Sequence, residues 1–129
     1  MFKVLTPAAM NETFARAFNS RDLAHLLALY EPDAALRVDG STDTWRGRTR
    51  IAEPLSRLLA VPGRMVSHNN FCIECAEIAL LRADWTLYGD DGGLVANGST
   101  AEVVRRQADG RWLYVIDHAA ALSLPAGRP

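Results

Sequence analysis

Long apolar runs are missing from this chain. Nowhere in its 129 residues does an uninterrupted hydrophobic stretch approach membrane-spanning length, and the first ten residues, which include Lys3 and Pro7, carry no apolar segment of the secretory-signal type. A cytoplasmic location with no membrane partner is the expectation. Cysteine is scarce too: Cys72 and Cys75 are too few for a disulfide framework, in keeping with a reducing compartment. A basic surplus is also lacking, since Lys and Arg total 14 against 15 Asp and Glu, for a formal net charge of -1. Phosphate binding relies on a net basic face, so nucleic acid is not an expected partner. The chain holds no Ser-His-Asp order, no glycine-rich phosphate loop and no dinucleotide fingerprint, so no cofactor is implied. Internal repeats and low-complexity segments are absent as well.

What is present belongs to an ordinary globular protein: 49% of residues are hydrophobic and 22% charged. A chain of this length buries about two thirds of its unfolded surface around one core, so residues 1–129 read as one domain. Its structured part spans about 6–120, with a frayed tail at 124–129. Thr6-Pro7 is a helix start, and Met10, Phe14, Ala17 and Phe18 recur behind it at helical spacing. Asn19, Ser20 and Arg21 break that stripe, and Leu23, Leu26, Leu27 and Tyr30 begin another, which Pro32 ends. Residues 34–38 are short enough for a strand before the polar loop 39–44. Ile51, Leu55, Leu58 and Leu59 mark a third helix, in which Pro54 predicts a kink or a late start. From Arg64 the period changes. Residues 65–74, 77–88, 94–107 and 111–118 read as an antiparallel meander whose turns include Asp90-Asp91-Gly92-Gly93 and Asp109-Gly110. Helices first and strands afterwards predict an α+β domain.

Several stretches carry a resemblance: 14–29 with its Asn-Ser-Arg-Asp-Leu turn, Tyr30-Glu31-Pro32-Asp33-Ala34, Trp45-Arg46-Gly47-Arg48, Asp84-Trp85, and 105–112 running on to Asp117-His118. In these the chain resembles the nuclear transport factor 2-like superfamily, and within it the SnoaL-like group. The resemblance implies a cystatin-like cone, in which N-terminal helices pack on a strongly curved antiparallel sheet around a pocket for a small apolar or amphipathic molecule. Such folds host isomerases, dehydratases, hydrolases, cyclases and domains without catalysis. Beside the steroid Δ-isomerases, Phe14 stands at the position of the tyrosine donor and Val38 at that of the carboxylate base, so that mechanism is absent. Asp39 is one residue along, on the other face, and only the second acid has a counterpart, near Glu102. Beside the limonene-epoxide hydrolases, Arg82, Asp84 and Asp117 stand where an arginine and two aspartates share proton transfer. The resemblance thus makes Asp117, Asp84 and Arg82 candidate catalytic residues. Phe14, Phe18, Tyr30, Trp45, His68 and Glu102 are candidate ligand contacts.

Strand alternation sharpens the question, because residues two apart share a face. On 77–88, Leu81, Ala83, Trp85 and Leu87 oppose Arg82, Asp84, Thr86 and Tyr88. On the last strand, Trp112, Tyr114, Ile116 and His118 oppose Leu113, Val115 and Asp117. Either the tryptophan faces pack on the helices and Arg82, Asp84 and Glu102 are solvated, or Arg82, Asp84, Glu102 and Asp117 line the pocket. In the second case a partner subunit covers Leu81, Trp85, Leu87, Trp112, Tyr114 and Ile116, and the protein is a homodimer through its sheet. Cys72 and Cys75 have metal spacing but face opposite sides of a predicted strand and lack a second ligand pair, so no metal site is expected. His68, beside Asn69 and Asn70, is placed at the pocket rim, whereas His25 and His118 have no carboxylate partner suited to catalysis.

Overall fold

The computed structural model describes residues 2–38 and 42–121, with the backbone alone for 120 and 121. The expectations for Asp39 and for the tail at 124–129 fall outside the described residues. A 3-10 turn, Pro7–Ala9, leads into helix α1, Met10–Asn19, followed by the short helix α2, Leu23–Leu27. Strand β1 is Tyr30–Val38, β2 is Trp45–Arg46, and helix α3 is Arg48–Leu59. Four long strands follow: β3, Arg64–Cys75; β4, Ile78–Tyr88; β5, Leu94–Arg106; and β6, Trp112–Ala121. They form one curved six-stranded sheet in the order β2-β1-β6-β5-β4-β3, with the helices on one face. No helix of the described residues is long and apolar enough to cross a membrane.

The predicted helices and meander are present, with three corrections. Tyr30 does not close the second helix; that helix stops at Leu27, and Tyr30 opens β1, with Pro32 inside the strand. The sheet is not wholly antiparallel, because β1 pairs with β6 in parallel, Leu36 opposite Asp117. Finally, α3 starts at Arg48 and runs through Pro54 to Leu59, so the proline does not delay its start. Pro54 turns its ring to the interior cavity instead.

Side chains weld the helices to the sheet through backbone groups. Asn19, the last residue of α1, donates from Nδ2 to the Met65 carbonyl (3.0 Å) and accepts from the Met65 N–H (2.8 Å), copying the pairing of a neighbouring strand. Asp22 caps α2 by accepting from the Ala24 N–H at 2.9 Å. Arg21, held at φ 60°, donates to the carbonyls of Leu59 (2.9 Å) and Val61 (2.6 Å) and to that of Gly63, and so gathers the chain that leaves α3. Gly63 has φ +126°, and a Cβ there would collide with the Tyr88 carbonyl oxygen. Gly63→Ala is therefore expected to lower stability by about 1–3 kcal/mol from backbone strain alone, measured by denaturant unfolding.

One irregularity decides which side chains face the helices. Val104 pairs with Tyr114 but Val103 pairs with Ile116, so Val115 is an extra residue on β6. On the near side of this bulge Trp112 and Tyr114 point into the core; beyond it Asp117 and Ala119 do, and Ile116 and His118 face out.

Candidate functional site

Between α1, α3 and the concave sheet face lies a cavity of about 130 Å³. Its wall is mostly apolar, with Phe14 from α1, Leu36 and Val38 from β1, Leu55 and Leu58 from α3, Met65 from β3 and Trp85 from β4. The acids enter from the sheet. Glu102 on β5 and Asp117 on β6 are direct cross-strand partners, both lining the cavity and exposed by only 3% and 5%. None of the described lining residues is Lys, Arg or His.

Hydrogen bonds hold each acid in place. The Tyr30 hydroxyl donates to Asp117 Oδ2 at 2.5 Å. Asn11, on the inner face of α1, donates from Nδ2 to Glu102 Oε1 at 3.0 Å and to Asn69 Oδ1 at 3.2 Å. The same Asn11 accepts from the Tyr114 hydroxyl at 2.7 Å through Oδ1, and the Tyr30 and Tyr114 rings pack with centroids 4.9 Å apart. An Asn11→Leu variant would leave Tyr114 unpartnered and Glu102 without its amide donor. We expect it to lose about 1–3 kcal/mol of unfolding free energy in urea titration.

The two carboxyls are electrically unusual. Burial raises Glu102 to about 8 and the nearby Asp117 charge adds to the rise. The Asn11 amide and the adjacent Thr100 hydroxyl offset only part of it, and Thr100 Oγ1 itself completes no hydrogen bond of good geometry. Burial raises Asp117 to about 6, opposed by the bond from Tyr30. Near neutral pH the pair therefore holds one proton and one negative charge between its two carboxyls. Burial also pushes Tyr30 and Tyr114 well above the usual phenol range, so both hydroxyls keep their protons.

The residues singled out in the sequence divide. Phe14, Tyr30, Glu102 and Asp117 line the cavity. Arg82 and Asp84 do not: both lie on the outer sheet face, where Asp84 accepts from Ser99 (2.6 Å) and Asn70 (2.9 Å) and is held below the usual carboxylate range by those bonds. An arginine–aspartate–aspartate constellation is thus not assembled, because β4 presents Leu81, Ala83, Trp85 and Leu87 inward and no bulge shifts its phase onto the acids. His68 pairs with Asp84 across β3 and β4, exposed on that same outer face rather than at a rim. Phe18 is wholly buried in the core and stacks under the Arg21 guanidinium at 4.3 Å. Trp45 is half-buried outside the cavity, with Arg57 and Arg50 over its ring at 5.7 and 6.0 Å. The covered face also differs from expectation: Leu81, Leu87, Trp112 and Tyr114 are buried on the helix side without a partner, and of that set only Ile116 faces out. Sequence reasoning missed Asn11, although a polar residue three before Phe14 and seven before Phe18 shares their helical stripe. Among the described residues no three His, Cys, Asp or Glu side chains come together as a metal cluster.

The SnoaL-like domain family model matches residues 11–115. The chain belongs to the SnoaL-like domain family. Solved structures agree on the SnoaL-like cone. A Thiobacillus denitrificans protein described as a candidate calcium/calmodulin-dependent protein kinase type II association domain is 26% identical, with a TM-score of 0.76 over 92% of this chain and 96% of that one. A Nostoc punctiforme domain of unknown function with a cystatin-like fold is 16% identical, TM-score 0.75, over 91% of this chain and 76% of that one. A ketosteroid isomerase-like protein from Erwinia carotovora atroseptica is 22% identical, TM-score 0.67, over 85% of this chain and 88% of that one. No match emerges among proteins with curated functions. Phe14 and Val38, which the resemblance set beside a steroid isomerase's tyrosine and base, form part of the apolar cavity wall.

Proposed function

We propose that this SnoaL-like protein is a cofactor-independent acid–base enzyme that moves a proton on a small uncharged carbonyl compound. The observation that carries this is the Glu102–Asp117 pair: two buried carboxyls, directly opposed, with raised and separated proton affinities in a cavity whose described lining has no cation. Asp117 takes a proton from the carbon next to the carbonyl. The electron pair of that C–H bond moves to the carbonyl oxygen, where the neutral Glu102 carboxyl donates a hydrogen bond to the developing enolate. Asp117 then returns the proton to the same carbon or to a conjugated one, so no co-reactant is consumed. Tyr30 keeps Asp117 oriented, and Asn11 does the same for Glu102. The test is deuterium uptake from D2O into cyclic ketones and enones, followed by NMR. Uptake above that of buffer and of heat-denatured protein is expected; background uptake across the series would remove the proposal.

A binding domain without turnover is favoured by Phe14 and Val38, which make the isomerase positions inert. Tight binding in that same series without exchange would support it.

A second copy of the chain is proposed on the outer sheet face. There Ile73, Leu80, Val103 and Ile116 stand in one cross-strand row, and Ile73, Leu80 and Ile116 are 57%, 43% and 51% exposed. Such a row on a curved sheet favours self-association. Sedimentation at micromolar concentration should give a dimer, and Leu80→Glu should give a monomer; a wild-type monomer would contradict the assignment.

A further inference from the structure

Trp85 is the bulkiest side chain on the cavity wall. It lies on the inner face of β4, directly across from Gly98 on β5, and its half-buried indole lines the cavity. Gly98 explains how so large a ring fits a concave sheet: a Cβ built on it would stand 3.0 Å from indole atoms Cε2, Cζ2 and Nε1. The indole therefore lies against bare backbone, and any side chain at position 98 would push it further into the cavity. Ser67, its partner on β3, is small and also lines the cavity, so the ring has no bulky neighbour on that flank.

The space that remains is about 130 Å³. An apolar protein cavity of about 150 Å³ holds a benzene molecule. The polar side chains that line the space include Glu102, Asp117, the two tyrosines, Asn11, Ser67 and Thr100, with no described basic residue to meet an anion. An anionic ligand would face the Asp117 charge in a medium that screens it poorly.

We propose that the site takes a compact, uncharged, single-ring ketone or enone, and that Trp85 is the specificity-determining residue that excludes fused-ring homologues. This rests on the acid–base reading for the carbonyl, but not for the size limit, and the two can fail separately. Binding is read by calorimetry on the full chain with three probes: cyclohex-2-en-1-one, a four-ring steroidal enone, and cyclohexanecarboxylate. The wild type should bind the first and neither of the others. Trp85→Leu should shift the preference towards the four-ring enone by on the order of 10-fold or more, and Gly98→Ala, which drives the indole inward, should weaken the one-ring probe. Circular dichroism confirms that each variant is folded; if Trp85→Leu fails to fold, Gly98→Ala carries the test. Equal wild-type affinity for the one-ring and four-ring enones, or tight binding of the carboxylate, would overturn the proposal. So would variants with unchanged selectivity. Asp117→Asn should keep the size preference while losing exchange, which separates this limit from the chemistry.

Discussion

Asp117→Asn is expected to lower proton exchange by about 10²- to 10⁴-fold, the range over which a positioned general base contributes. Asparagine has the same shape and its carbonyl oxygen can still accept from Tyr30, so the fold survives, but it cannot take a proton. The rate against pH carries a second signature. Exchange in the wild type should rise as Asp117 loses its proton near pH 6 and fall as Glu102 loses its own near pH 8, a bell whose limbs belong to the coupled pair. Glu102→Gln still offers an N–H donor, so its loss should be smaller, and the alkaline limb should vanish. Retention of that limb in Glu102→Gln would assign it to another group.

The second large effect concerns stability. Glu102 and Asp117 bind protons more tightly folded than unfolded, where their ordinary values are 4.5 and 3.8. Between those values and about 8 the folded chain holds more protons than the unfolded one, so unfolding free energy falls as pH rises through the window. Below the unfolded values the contribution is fully present, and above pH 8 it is lost. The size is on the order of several kcal/mol for a buried acid shifted by this much. Urea titrations at pH 5 and pH 9 should show the wild type weaker at pH 9, with the difference largely removed in Glu102→Gln. Glu31, Asp84 and Asp109 are shifted the other way, by partners at or near the surface, and act only in more acidic solution. A wild-type curve that is flat, or that climbs, from pH 5 to pH 9 would show that the carboxyls ionise freely in the folded state.

Much of the cone was legible in the sequence because its signals are local. The α1 stripe of Met10, Phe14, Ala17 and Phe18, the turns at Gly92 and Gly110 with their φ of 82° and 89°, and the inward apolar set of β4 follow from period and turn chemistry. Tyr30 was misplaced because it continues the spacing of Leu23, Leu26 and Leu27. A long-range bond ends that helix instead, the Tyr114 N–H reaching the Leu29 carbonyl at 2.8 Å. The candidate site was half legible. Glu102 and Asp117 drew attention as acids, but strict alternation puts Tyr114 and Asp117 on opposite faces. Only the extra residue at Val115 reconciles them, and such a bulge is settled by packing between strands far apart in the chain. Arg82 and Asp84 kept their alternation and stayed outside.

The Val115 bulge also bears on how such a cone could gain or lose its chemistry. Closing the bulge with Val115 kept in the ladder would restore strict alternation beyond Tyr114, turning Ile116 inward and Asp117 to solvent with every side chain of the pair unaltered. Deleting Val115, by contrast, leaves Tyr114 and Asp117 two apart and both inward, so such a cone carries the acid either with the extra residue and its bulge or with neither. For a lineage drifting between catalysis and simple binding, the counting of residues in one strand is as consequential as their identity.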